Sequence, residues 1–168
     1  MFIHLIPILV ILVDQLTKIW IKYFYLAEIP SKSIIDNIII FELAENPGVA
    51  FGMFSGYPAI KPFIDILTIA ILFFLYTLFY QSIKQNSYEK YPLSLIIGGA
   101  LGNMIDRFLM YFDFLEYDGV VDFIKLGYQN SYWYVFNVAD ACITMGVILF
   151  FILEITKSLN LKVWKGKS

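Results

Sequence analysis

Four stretches of this chain are built almost wholly from apolar residues, and polar residues are gathered between them. The first runs from about Ile3 to Ile21, the second from about Pro62 to Tyr80, the third from about Pro92 to Met110 and the fourth from about Tyr134 to Ile155. Each is close to the ~20 residues that a helix needs to cross ~30 Å of hydrocarbon. Four membrane-spanning helices are therefore expected. The segment between the first two, residues 23–61, has a different character. It carries the run from Ile34 to Phe41, rich in β-branched residues, and then "NPGVAFG" from Asn46 to Gly52. The run favours a short strand and Pro47-Gly48 a turn. A small β-like cap on the membrane surface is expected there. The connection from Gln81 to Tyr91 is short and polar, whereas that from Tyr111 to Trp133 is long, acidic and aromatic. The expected fold is a membrane all-α, four-helix bundle in a single domain over 1–168. The cap lies between helices 1 and 2 and an extended loop between helices 3 and 4.

Composition agrees. The chain is 60% hydrophobic and 15% charged, against about 45–50% and about 25% for soluble domains. The apolar start from Phe2 to Val13 lacks a basic leading region and a small-residue cleavage site, and Lys18, Trp20 and Lys22 follow it. It is read as a retained span rather than a signal peptide. One cysteine, Cys142, and one histidine, His4, support neither a disulfide framework nor a His-based metal site. No metal or other cofactor is expected. With no basic patch beyond the short tail, no nucleic-acid partner is expected either.

Charge placement orients the chain. Lys84 and Lys90 lie in the second connection, and Lys157, Lys162, Lys165 and Lys167 follow the fourth span. Glu28, Asp36, Glu42, Glu45, Asp113, Glu116 and Asp118 fall on the opposite side. Lysine bias therefore puts both termini in the cytoplasm. Lys22, Lys32, Lys61 and Lys125 count against that orientation.

Polar residues inside the spans need a reason, because charge in hydrocarbon is costly. Asp14 and Lys18 lie four apart, Asn103 lies three and four from Asp106 and Arg107, and Asn137 lies three from Asp140. Each set occupies one side of its helix. With alternating helix directions all come to one depth, and Asp122 lies in the loop that enters the fourth span. Polar contacts between helices would account for Asp106 and Arg107, and Asp14 with Lys18 could neutralise each other. The carboxylates outnumber the cations, however. A poorly hydrated excess carboxylate keeps its proton, and two close ones share one. Asp122 and Asp140 could form such a dyad, although spacing alone does not single them out. Gly98, Gly99 and Gly102 fit close helix packing. Asn46 could cap the Pro47-Gly48 turn or reach the polar pocket. Trp20, Tyr132, Trp133 and Tyr134 read as interfacial anchors.

Five strings, in order, now carry a resemblance: "DQLTK" (14–18), "NPGVAFG" (46–52), "GGALGNMIDR" (98–107), "GVVDF" (119–123) and "FNVAD" (136–140). Together they resemble the bacterial lipoprotein signal peptidases, the type II signal peptidases. The resemblance implies a metal-free aspartic endopeptidase of the bacterial cytoplasmic membrane. Such an enzyme cuts prolipoproteins just before a diacylglyceryl-modified cysteine. It implies Asp122 and Asp140 as the catalytic pair, with Asp14, Lys18, Asn46, Asn103, Arg107 and Asn137 supporting the pocket and Asp106 structural. It further implies membrane lipids and lipid-modified prolipoproteins as partners, inhibition by globomycin-type cyclic peptides, and a chain that acts as a monomer. One departure stands out. Sixteen positions separate Asp106 from Asp122, more than the family usually has. A longer loop over the site is expected. A transporter would instead place polar groups through the whole membrane depth, and a scaffold would not need Asp122 or Asp140.

Overall fold

The computed structural model describes residues 2–29, 31–47, 58–128 and 131–158. Four helices form where the apolar blocks lie: α1 Leu5–Trp20, α2 Lys61–Lys84, α3 Lys90–Tyr111 and α4 Val138–Ser158. A 3-10 turn, Phe2–His4, precedes α1 and a π-helical turn, Ile21–Tyr25, extends it. The continuous stretch Phe2–Tyr25 and helices α2, α3 and α4 are each long and apolar enough to cross a membrane. Their outward faces are apolar as well: Phe63, Ile66, Phe73 and Phe74 of α2 and Ile148, Phe151, Ile152 and Ile155 of α4 are exposed. A helix satisfies its backbone internally, so lipid can replace water around such faces.

Helix α3 is the centre of the bundle and packs against α1, α2 and α4. Its glycines make this possible. A Cβ on Gly98 would lie 2.8 Å from Cβ of Val10, and one on Gly102 would lie 2.7 Å from Oδ2 of Asp14, both in α1. A Cβ on Gly99 would lie 2.8 Å from Cγ1 of Ile143 in α4. Gly98 and Gly102, four apart, thus admit one neighbour, and Gly99 admits the other.

The cap is a four-stranded antiparallel sheet, ordered β1-β2-β3-β4, with β1 Ser31–Ile35, β2 Ile39–Asn46, β3 Val120–Tyr128 and β4 Ser131–Phe136. This corrects two expectations. Only half of the sheet comes from the segment between helices 1 and 2. The other half is the connection between helices 3 and 4, read from the sequence as an extended loop. In addition, Tyr134, Val135 and Phe136 belong to β4 rather than to the fourth span, which begins at Val138. Aromatic and β-branched residues are apolar enough to extend a hydropathy block, yet they favour a pleated strand when a partner edge is present. Here β3 supplies that edge, pairing Phe136 with Ile124.

The lengthened loop is what remains between α3 and β3. Asp113, Leu115 and Glu116 adopt left-handed φ values of 49°, 57° and 52°, which non-glycine residues rarely adopt. Hydrogen bonds hold them. Lys22 Nζ donates to the Glu116 carbonyl at 2.6 Å, and Tyr23 Oη donates to the Leu115 carbonyl. Glu45 of β2 joins the same clasp, accepting from Lys22 Nζ and from the Asp118 amide, each at 2.7 Å. The loop is thereby fastened to both the π-helical turn after α1 and the sheet, just ahead of Val120.

Candidate active site

The site is built around the start of α4. Asn137 sits between β4 and α4 and caps the helix. Its Oδ1 accepts from the Asp140 amide at 2.9 Å, and Asp140 Oδ2 accepts back from the Asn137 amide at 3.3 Å. These are the reciprocal bonds of a capping box, here written N-V-A-D. A further amide of the first turn, that of Ala139, donates to Asp14 Oδ1 at 2.9 Å. Asp14 therefore answers one of the helix's unsatisfied N–H groups from another helix, at its positive end.

Beneath this turn lies a buried ion cluster. Lys18 Nζ is 2.7 Å from Asp14 Oδ2, 2.9 Å from Asp106 Oδ2 and 3.0 Å from Asn103 Oδ1. Those contacts use all three ammonium donors. Asp14, Lys18 and Asp106 are each 0% exposed, so the charges survive only because they are paired and hydrogen-bonded. Asp106 Oδ2 also accepts from the Val121 amide at 3.0 Å, and its Oδ1 accepts from Gln15 Nε2 at 2.8 Å. The cluster thus holds β3 next to α1 and α3.

Two further carboxylates hang from this frame. Asp122 follows the anchored Val121 on β3. Asn46 pairs with Val120 and Ala44 with Asp122 across β2 and β3, so Asn46 and Asp122 share one face of the sheet as diagonal neighbours. Asn137 Nδ2 donates to Asp122 Oδ1 at 2.6 Å, and Asn103 Nδ2 donates to Asp140 Oδ1 at 2.8 Å. The two asparagines are joined by the 3.0 Å bond from Asn137 Nδ2 to Asn103 Oδ1. Burial, and then the charge of Asp140, push the Asp122 carboxyl up to about 7; Lys18 and hydrogen bonds from Asn137 and Asn46 oppose this. Asp122 is 5% exposed. Both carboxylates border a cavity of about 1040 Å³, walled by α3, α4 and the β3–β4 hairpin, with Thr68 of α2 at its edge. Such a site can hold a water between a protonated and an ionised carboxyl. Among the described residues, no three His, Cys, Asp or Glu side chains gather as a metal site.

Of the residues singled out from the sequence, Asp14, Lys18, Asn46, Asn103, Asp106, Asp122, Asn137 and Asp140 come together. Asn46 turns to the pocket, lining the cavity. Gly48, read as part of a turn with Pro47, lies outside the described residues. Arg107 lines the cavity too, but it pairs away from the ion cluster, 3.6 Å from Asp65 of α2. Two residues were missed. Gln15 was passed over within "DQLTK", although a polar side chain beside Asp14 in a span asks for a partner. Asp65 was passed over as a site residue. Helix α2 begins at Lys61, so Asp65 sits a turn inside it, partnered by Arg107 and by Tyr111 Oη at 2.6 Å. It is the one carboxylate of α2, which was the available signal.

The family model described as signal peptidase (SPase) II matches residues 6–156. The lipoprotein signal peptidase of Clostridium acetobutylicum is 37% identical over 150 residues, covering 88% of this chain and 89% of that protein. That of Pelagibacter ubique is 34% identical over 160 residues, covering 92% and 88%. A solved structure described as a bacterial membrane enzyme, obtained by the in meso method, superposes with a TM-score of 0.77 at 33% identity, covering 97% of this chain and 93% of that one.

Proposed function

The chain belongs to the signal peptidase II family of membrane aspartic peptidases, and from that membership we propose that it removes signal peptides from diacylglyceryl-modified prolipoproteins, cutting immediately before the lipid-modified cysteine. One observation carries the reading. Asp122 and Asp140 border a single cavity and both hydrogen-bond to Asn137. In the mechanism we infer, the two share a proton that resides on Asp122 near neutral pH. Asp140, ionised, takes a proton from the attacking water, while Asp122 donates a hydrogen bond to the scissile carbonyl. The tetrahedral intermediate then collapses, the C–N bond breaks, and the proton held by Asp140 passes to the leaving amine. Asn46, Asn103 and Asn137 orient the carboxylates; Asp14, Lys18 and Asp106 hold the frame; Arg107 faces the substrate.

The same reading sets the chain in a bacterial cytoplasmic membrane as a monomer, with both termini inside and the site near the outer surface. Lys84 and Lys90 at the α2–α3 end and Lys157 near the end of α4 support that orientation. A substrate whose lipid stays in the bilayer and whose scissile bond lies at its surface suits a cavity at this level. Globomycin-type cyclic peptides would occupy it as blocked substrates. The test is cleavage by the purified protein of one precursor, offered with and without its lipid. Only the lipidated form should be cut; equal cutting of both, or of neither, sinks the assignment.

A pH profile follows from the Asp122 carboxyl. An acid whose proton is held up to about 7 supplies it below that pH and loses it above. The value of kcat/KM should therefore fall through pH ~7, about tenfold per unit beyond it, when measured on the lipidated precursor. A flat profile from neutral to alkaline pH would contradict the assignment of the donor.

A further inference from the structure

Helix α2 is held to α3 in two different ways. In its second half Leu72, Leu75, Leu78, Phe79 and Ile83 pack into an apolar cluster with Leu93 and Ile97. In its first half Phe63, Ile66 and Leu67 are exposed, and Asp65 makes the polar contact. Asp65 Oδ2 accepts from Tyr111 Oη at 2.6 Å, and its Oδ1 lies 3.6 Å from Nε of Arg107. Thr68, three residues on, shares that face and lines the cavity.

On α3 the matching residues are Asn103, Arg107 and Tyr111, each four apart and so in one row. Asn103 holds Asp140 at one end of the row, and Tyr111 holds Asp65 at the other. Arg107 lies between them on the cavity wall. Asp65 lies on the Nε side of its guanidinium at ion-pair distance, 3.6 Å. Among the described residues, no other ion pair or hydrogen bond reaches Arg107. The planar guanidinium is a rigid fork of donors, so fixing Nε decides where the two terminal nitrogens point. An ion pair with both members partly accessible adds little to stability. Placing a carboxylate on a spanning helix is costly. Orientation of Arg107 explains the placement better than cohesion does.

We propose that Asp65 is a positioning residue: through Nε it holds Arg107 so that the terminal guanidinium nitrogens meet a backbone carbonyl of the precursor in the cavity. This rests on the reading above that the cavity takes a prolipoprotein. Tyr111 assists by fixing the second oxygen of Asp65.

The test is steady-state cleavage of the lipidated precursor by wild type, Asp65→Asn, Asp65→Glu, Arg107→Gln and the Asp65→Asn/Arg107→Gln double variant, with melting temperatures beside it. Asp65→Asn should raise KM about tenfold and change kcat by less than about twofold, as loss of a substrate-binding interaction does. Asp65→Glu should restore most of the affinity. In the Arg107→Gln background, Asp65→Asn should add nothing, because the residue through which it acts is gone. A residue that merely pins α2 would lower the melting temperature and add its effect to that of Arg107→Gln. An unchanged KM in Asp65→Asn, or additive effects in the double variant, overturns the proposal while wild-type cleavage leaves the peptidase reading intact. A wild type that cuts no lipidated precursor overturns both.

Discussion

Asp140→Asn should lower the rate of lipidated-precursor cleavage by on the order of 10³–10⁴-fold, and Asp122→Asn should do the same. The amide matches the carboxylate in size but can neither take a proton from water nor pass one to the leaving amine. At position 140 a second mismatch arises, because the oxygen facing Asn103 Nδ2 must remain an acceptor. The amide can satisfy that bond with its carbonyl oxygen, which leaves its NH₂ where Oδ2 accepts from the Asn137 amide. At position 122 the amide can still donate a hydrogen bond through its NH₂, with its oxygen accepting from Asn137 Nδ2, but it has no acidic proton to share with Asp140 or to give to the developing oxyanion. Neither change empties the core, so both variants should keep melting temperatures within a few degrees of wild type. Single-turnover rates on one lipidated precursor, together with thermal unfolding in the same detergent, check both halves. A variant that keeps its rate removes its aspartate from the mechanism.

Lys18→Met should destabilise the protein by about 3–5 kcal/mol. The side chain length is kept, but the three-way contact to Asp14, Asp106 and Asn103 disappears. Two fully buried carboxylates then face each other's surroundings without a cation. One must take up a proton or draw in water. The damage spreads by two named routes. Asp14 caps α4 through Ala139, and Asp106 anchors β3 through Val121. Asp140 and Asp122, the proposed catalytic pair, sit one residue beyond those contacts, so activity should fall together with stability. Unfolding by denaturant in detergent micelles measures the first, and Lys18→Met/Asp106→Asn should recover part of the loss by removing one stranded charge. A loss below about 1 kcal/mol would mean that the cluster is hydrated or relaxes.

The helices were legible because a span is a long, nearly pure apolar block, a pattern that few other structures share. The convergence of Asp14, Asn103, Asn137 and Asp140 was legible for a related reason. Depth along a helix follows from residue number, and spacings of three and four fix the face. What was not legible is the sheet. Pairing of Asn46 with Val120 joins segments separated by two spans, and no local propensity records it. Hence Asp122 was read in a loop when it stands on a strand, and the beginning of the fourth span was drawn too early. The role of Asp14 at the start of α4 was hidden as well, since a cap contributed by another helix leaves no mark near the helix it caps. Asn46, open between turn and pocket when read from the sequence, was decided by the alternation of β2, which turns Glu45 towards the loop clasp and Asn46 towards the cavity.

The pairing of β2 with β3 also orders the birth of the protein. A ribosome releases β1 and β2 long before β3, with α2 and α3 to be inserted in between. During that interval the inner edge of β2 has no strand to join, and its backbone groups must be served by water at the bilayer surface. The hairpin closes into a sheet only after two further crossings, at the entropic cost of a long loop. Asn137 and Asp140 emerge later still. A nascent chain therefore carries the buried lysine cluster half-built and no opposed carboxylates. On the proposed reading, hydrolytic competence therefore waits until α4 has entered the membrane.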